Sequence, residues 1–319
     1  MRRPILWLAC AALLAVSLAA GAAEPCRYSA PRKAEIDAAG LQRLSVQIGP
    51  DDLVIRGEPG ITKIEVSGTA CASREDWLKD VQVETARHGE SASVVARDGD
   101  HHVQFSPFGG SYAYLKLDVR VPQALAVKLT DGSGDADVAG VGALDASVGS
   151  GDLKVHGIAG AFALSVGSGD VVASDVGNLA LSSVGSGDVN VDGVRGEVRV
   201  DGVGSGSLGL RHDTGGVSVG SVASGDVKLA GVGGNVALGS IGSGDVGIRD
   251  AKGDVTVKAV ASGDVRIERA GGSVRADSVG SGDFGANGVG GDFSVGSLGS
   301  GDLHHRGVKG KVSIPRTDG

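Results

Sequence analysis

Val184-Gly185-Ser186-Gly187-Asp188-Val189 is one copy of a corner that recurs along most of the chain. From Gly132 to Asp302 the tetrapeptide Gly-Ser-Gly-Asp, or a one-residue variant of it, occurs ten times. Its last residue falls at Asp135, Asp152, Asp170, Asp188, Ser207, Asp226, Asp245, Asp264, Asp283 and Asp302. The intervals are 17, 18 and 18 residues, and then 19 six times. A unit this short cannot bury an apolar face alone, so each unit must stack on its neighbours.

Within a unit the residues after the Asp alternate apolar, polar, apolar: Val227-Lys228-Leu229, Val246-Gly247-Ile248, Val265-Arg266-Ile267. A period of two is a strand with one buried face. A further apolar residue follows (Ile158, Val176, Val194, Val232), then a glycine-rich bend, then a second alternating strand such as Val217 and Val219 or Val236 and Leu238. Each unit is therefore two short strands and two corners. Gly253-Asp254-Val255 and Gly291-Asp292-Phe293 put Gly-Asp at the opposite corner, so the halves read as diverged copies of one element. The fold class this predicts is all-β: a β-solenoid, parallel β-helix-like, of about 19-residue two-strand coils with an N-terminal cap. At about 4.8 Å per coil, ten coils make a rod roughly 50 Å long. Inward residues are Val, Ala, Leu and Ile with few aromatics, so the two sheets should lie close together. Corner glycine is expected on two grounds: positive φ without penalty, and room for adjacent coils to pass.

The ends divide the chain. Arg2-Arg3, the apolar run Ile5 to Ala19 and the small residues Ala20-Gly21-Ala22 read as a signal peptide over 1–23. Residues 24–130 read as capping and irregular β coils, and 131–319 as regular solenoid repeats continuous with them. Leu53-Val54-Ile55, Ile61 to Val66, Val81 to Val83 and Leu115 to Val121 supply early strands, with Gly57-Glu58-Pro59-Gly60 as a corner. Ser73 to Lys79 suggests a short helix with Ser73 as N-cap and Asp76 at N3. The cap carries Tyr28, Trp77, Phe105, Phe108, Tyr112 and Tyr114. A solenoid needs its end rungs covered; Lys309, Lys311, Pro315 and Arg316 guard the last one.

Fifty-six glycines in 319 residues raise the question of disorder, but the 41% apolar residues are placed periodically. The formal charge is −8, or −10 once the leader with Arg2 and Arg3 is removed. No basic stripe is present, which argues against a nucleic-acid partner. No second hydrophobic segment follows the leader, so no integral membrane segment is expected after its removal. Cys10 leaves with the leader. Cys26 and Cys71 form an even pair, expected to be a disulfide in an oxidising compartment. Such a bond closes a loop of about 45 residues, worth roughly 4 kcal/mol in the chain-entropy model.

The Asp row is the leading chemical candidate. Carboxylates about 4.8 Å apart repel by roughly 0.9 kcal/mol per neighbouring pair in water, so something must offset this. The structural account is that each Asp caps its turn by accepting backbone N–H bonds. The functional account is calcium held between coils, as in nonapeptide β-rolls, but their Gly-Gly-x-Gly-x-Asp motif is not matched. Ser207 breaks the row without disturbing the period, which suits the turn role. The Ser row from Ser133 to Ser300 reads as local turn hydroxyls. His101-His102 and His304-His305 are adjacent pairs, and neighbouring strand residues point to opposite faces, so neither pair converges on a metal. No Gly-x-Ser-x-Gly elbow or phosphate loop is present. No catalytic, cofactor-binding or metal-binding residue is assigned, and no cofactor is expected.

The leader, Val54-Ile55-Arg56-Gly57, Val119-Arg120-Val121-Pro122 and the Val-Gly-Ser-Gly-Asp-Val runs together resemble the bacterial putative-adhesin family of β-strand-repeat proteins. They are also similar to head domains of putative auto-transporter adhesins. The resemblance implies the solenoid fold and a non-catalytic surface or envelope role in the periplasm or outside the cell. It implies no reaction. Ser207, and Ala223 and Ala261 before Ser-Gly-Asp, depart from the motif. The expected function is an exported adhesin-like binding protein that presents Lys228, Arg249, Arg266 and Glu268 to a surface or envelope polymer. The alternatives are a periplasmic assembly scaffold that pairs with another protein through an end rung, and, third, a carbohydrate-active β-helix enzyme.

Overall fold

The computed structural model describes residues 26–99 and 111–315. The leader, His101-His102, Phe105, Phe108 and Arg316 lie outside the described residues. The chain forms two sheets of 14 strands each, closed on one another into a β-solenoid. From Asp131 onward each coil gives one strand to each sheet, and every neighbouring pair is parallel. In the first sheet Leu208, Val227, Val246 and Val265 stand in register. In the second, Val198, Val217, Val236 and Val255 do the same.

The alternation in the sequence is the alternation in burial. Val227 and Leu229 are buried while Lys228 between them is exposed. Stacking these columns yields one continuous core from Ile36 to Val295. Among the described residues the fully buried rings are Phe162, Phe284 and Phe293, and Trp77 packs against the core half-buried. Valine dominates because a β-branched side chain fits a pleated surface at little rotamer cost.

The two expected roles of corner glycine separate in space. A Cβ on the glycine before each Asp would lie 1.6 Å from the Gly134 carbonyl oxygen at Gly151, 1.9 Å from Gly225 at Gly244 and 1.9 Å from Gly282 at Gly301. These glycines are needed for close approach of coils, and none has positive φ. Left-handed backbone sits instead five residues after the Asp, in a column with one member per coil. Gly140, Gly157, Gly193, Gly231, Gly288 and Gly307 occupy it, and so do Asp175, His212, Asp250 and Arg269 at φ 54–60°. A non-glycine residue there costs about 1 kcal/mol or more. Arg269 is held by its coil neighbour, Nη2 donating to Asp250 Oδ2 at 2.8 Å, and His212 Nδ1 lies 2.8 Å from Asp192 Oδ1.

Antiparallel pairing occurs at the N-terminal end. Strand Tyr28–Asp37 pairs antiparallel with Lys63–Ala72, which pairs antiparallel with Ala113–Pro122. On the other sheet Gln82–His88 closes on Ser91–Arg97. Cys26 and Cys71 are disulfide-bonded, with 5.3 Å between Cα atoms, and tie the first strand to this layer. The threading is not sequential. The coil made by Arg43–Ile48 and Asp52–Glu58 lies between the cap strands and the coil made by Ala126–Asp131 and Ala136–Ala139. Strands Lys63–Ala72, Gln82–His88, Ser91–Arg97 and Ala113–Pro122 thus build the end layer before the repeats start.

The helix expected over Ser73 to Lys79 is one 3-10 turn, Glu75–Trp77, preceded by Arg74 without a side-chain cap. Ser73 is still held by the ladder: its N–H donates to the Tyr112 carbonyl at 2.9 Å, and its hydroxyl accepts the Tyr112 N–H at 3.1 Å. Its hydroxyl is thereby engaged just past the end of strand Lys63–Ala72, and Arg74, with extended backbone, stands at the N-cap instead.

Two glycines three residues apart test the close-approach argument. Gly244→Ala drives a Cβ into the Gly225 carbonyl, whereas Gly247 has ordinary φ and no atom within 4 Å of a built Cβ. We expect Gly244→Ala to destabilise by about 3 kcal/mol or more, as backbone overpacking does. Gly247→Ala should be neutral or stabilising by about 0.5–1 kcal/mol, from lower chain entropy when unfolded. Urea titration of both variants checks this; equal effects would refute it.

Candidate functional site

The Asp row is a ladder between coils. Each carboxylate of the row from Asp135 to Asp283 accepts the backbone N–H of the residue at its own position in the next coil. Asp170 N–H donates to Asp152 Oδ1 at 3.3 Å, Asp188 N–H to Asp170 at 3.0 Å, and Ser207 N–H to Asp188 at 3.1 Å. Asp264 N–H donates to Asp245 at 3.2 Å, Asp283 to Asp264 at 2.9 Å, and Asp302 to Asp283 at 3.2 Å. The acceptor role expected from the sequence is present, but the N–H belongs to the next coil and not to the residue's own turn. Ser207 interrupts the ladder at a single step. The Asp226 N–H above it turns to the Gly206 carbonyl at 3.3 Å. The interaction offsets the repulsion along the row because a carboxylate accepting an N–H is stabilised in its charged form.

The opposite corner carries a second ladder of mixed chemistry. Asn235 Oδ1 accepts the Asp254 N–H at 2.9 Å, and Asp254 accepts the Ser273 N–H at 2.7 Å. Ser273 Oγ accepts the Asp292 N–H at 3.1 Å, and Asp292 accepts the Lys311 N–H at 2.7 Å. The two corners are alike in mechanism as well as in sequence.

Among the described residues three acids are buried: Asp51, Asp131 and Asp213, each 1–2% exposed. Asp131 pairs with Val148 in register and Asp213 follows Val194 by one coil, so both stand where the repeat has an apolar residue. Asp51 stands where the repeat has glycine. Ile48-Gly49-Pro50-Asp51-Asp52 is a further, degenerate copy of the corner, with Ile48 opposite Asp131 and Leu53 opposite Ala136. Its Pro and doubled Asp hid it from the sequence motif, though the spacing to Leu53-Val54-Ile55 was a visible signal. Asp51 Oδ1 accepts the Leu115 N–H at 2.6 Å and Oδ2 the Gly49 N–H at 3.2 Å. Asp131 accepts the Gly134 N–H at 3.2 Å and Asp213 the Val194 N–H at 3.3 Å, but Oδ2 of each has no partner. Burial pushes Asp131 up to about 7 and Asp213 up to about 6, and raises Asp51. Groups this enclosed meet no substrate.

On the outer surface Asp283, Asp302 and His304 bring ligand atoms within 4.8 Å of one another, all three exposed. The sequence treated the Asp row and the His304-His305 pair separately. Asp302 and His304 share a strand face because they are two residues apart, whereas His305 turns its ring to Phe293, 5.3 Å between centroids. At the cap, Arg27, Ser73, Arg74, Glu75 and Asp76 line a shallow hollow. Arg74 is engaged there with Asp76 at 3.2 Å, and Tyr112 Oη accepts the Arg27 N–H at 3.0 Å.

No protein-family profile matches the chain, and no curated protein matches it. The chain is similar to several solved structures. One is a "putative lipid binding protein" from Parabacteroides distasonis, at 17% identity over 86% of this chain and 96% of that one, TM-score 0.35. Another is a "putative adhesin" from Bacteroides fragilis, at 15% identity over 91% and 99%, TM-score 0.27. A third is a "putative cell adhesion protein" from Clostridium sporogenes, at 10% identity over 90% and 99%, TM-score 0.25.

The buried acids set a pH dependence. Their pKa values are raised on folding, so the folded chain holds more protons than the unfolded chain between about pH 4 and 7. Stability therefore falls as pH rises through that window and levels off above it. At about 1.4 kcal/mol per pKa unit the loss is on the order of 4 kcal/mol for Asp131 and 3 kcal/mol for Asp213. Asp213→Val, which restores the apolar column, should raise the melting temperature at pH 8 and flatten the slope between pH 4 and 6. A melting-temperature profile with an undiminished slope in both Asp213→Val and Asp131→Asn would refute this account.

Proposed function

We propose that the chain is an exported, non-catalytic, adhesin-like binding rod of the cell envelope, directed there by residues 1–23. The observation that supports this reading most is the regularity of the outer faces. Outward polar side chains recur in strict register, at every coil in the column Arg249, Glu268, Asn287 and Arg306 and at every second coil in the column Lys228, Arg266 and His304, so one weak contact can be repeated along a linear partner. Multivalent contact gains affinity without any single strong site. The Cys26–Cys71 bond fits an oxidising compartment. No helix among the described residues is long and apolar enough to cross a membrane. The acids with raised pKa lie inside the core, and the exposed carboxylates of the Asp row recur about once per coil.

A second reading, an assembly scaffold, is favoured by the last coil. Val312 and Ile314 are 38% and 45% exposed there, and strand Leu303–Val308 ends its sheet. Such an edge offers unpaired backbone groups to another chain.

The exported form, residues 24 onward, applied to an array of envelope polymers and glycans should show saturable, salt-sensitive binding to one polymer class. Retention of that binding in chelator would keep the Asp row as ladder chemistry, and its loss would make the row a cation site. Absence of binding in both conditions, together with concentration-dependent oligomers in sedimentation, would replace the adhesin reading with the scaffold.

A further inference from the structure

Glycine inside a strand costs stability, and it often marks a place where a ligand comes close. Nearly all glycines of the rod have a structural reason: left-handed φ, or a neighbouring coil where a Cβ would stand. Gly247 and Gly285 have neither. Both lie inside outward-facing strand positions with ordinary φ. A Cβ at Gly247 would meet nothing within 4 Å, and at Gly285 its nearest neighbours lie at 3.9 Å.

Their column explains what they open. Along the outer face of the first sheet the residues in register are Lys228, Gly247, Arg266, Gly285 and His304. Long polar residues and glycines alternate coil by coil. The cations therefore recur every second coil, about 10 Å apart, with a notch between them. Lys228 and Arg266 have no ion pair and no side-chain hydrogen bond among the described residues, and neither folds into the Gly247 notch. Nearby cations are engaged: Arg249 with Glu268 at 2.9 Å, and Arg269 with Asp250. Gly209, one step earlier in the column, is different, because the Asn190 side chain fills its space. The notched stretch forms one groove, walled on one side by Asp226, Asp245, Asp264 and Asp283.

Resting on the polymer-binding reading above, we propose that this groove binds a linear acidic polysaccharide carrying one carboxylate per disaccharide. Lys228 and Arg266 meet successive carboxylates. The open coils at Gly247 and Gly285 admit the bulk of the intervening sugars. The aspartate wall accepts hydrogen bonds from sugar hydroxyls, since an ionised carboxylate is acceptor-only. The wall also sets the specificity. A polymer with an acid on every sugar would put half its carboxylates opposite Asp245 or Asp283 with no cation beside them. A polymer with none leaves the cations unmet.

The test uses the exported protein and three oligosaccharide probes in calorimetry: hyaluronan (one acid per disaccharide), alginate (one per sugar) and chitin (none). The expected order is hyaluronan tightest, with affinity falling as salt rises. Lys228→Ala with Arg266→Ala should weaken hyaluronan at least tenfold. Gly247→Thr with Gly285→Thr should weaken it as much while keeping or raising the melting temperature, a combination that loss of fold cannot produce. The inference is overturned if the glycine variants bind undiminished, if alginate or chitin binds as tightly as hyaluronan, or if the variants block only a protein partner. A polymer that binds on the array but ignores both pairs of substitutions sinks the groove and leaves the adhesin reading standing. An array without any binding sinks both.

Discussion

The contact on which the rod depends is backbone against backbone at the Gly-Ser-Gly-Asp corner. A carbonyl oxygen of one coil sits where the next coil's glycine would carry its Cβ, within 2.0 Å of that position along most of the rod. That contact holds the corners at the spacing of hydrogen-bonded strands. A side chain there would force the coils apart, and both ladders and the valine columns would lose register together. Much of the glycine content that resembles a disordered composition is therefore a packing requirement, met at several points per coil.

The carboxylate ladder follows from the same geometry. Parallel coils leave an N–H at each corner that the strand ladders do not use, and the Asp below is positioned to accept it. A like-charged row is tolerable at the surface, where water screens the repulsion and each charge gains a donor. Ser207 shows how local the device is: its step is replaced by a bond to the Gly206 carbonyl and the stacking continues. That coil departs from the repeat at two further positions. It carries His212 in the left-handed column and buries Asp213 in the apolar one.

The interior and the exterior divide the labour. The buried acids Asp51 and Asp131 lie where the cap meets the repeats, and they make stability depend on pH without touching solvent. Between residues 226 and 304 the outer face of the first sheet carries an aspartate wall, Lys228 and Arg266 two coils apart with no ion pair among the described residues, and glycine notches beside them. A binding reading draws on that repetition.

Much of this was legible in the residues. The period of Gly-Ser-Gly-Asp, the alternation of Val227-Lys228-Leu229 and the even cysteine pair determined by themselves a two-strand coil, its inward faces and a solenoid, because side-chain period and repeat length are local properties of the chain. The partners across coils were decided only by tertiary structure. Strands Lys63–Ala72, Gln82–His88, Ser91–Arg97 and Ala113–Pro122 lie outside the coil of residues 43–58, and Ser73 bonds Tyr112 instead of capping a helix. Asp51 and Asp131 meet at a junction that joins segments 80 residues apart in the sequence. Which N–H each Asp accepts, and whether a glycine faces a carbonyl or open space, depend on what the neighbouring coil places there. Gly244 and Gly247 are the same residue three positions apart, and only the coil beneath them makes one indispensable and the other free.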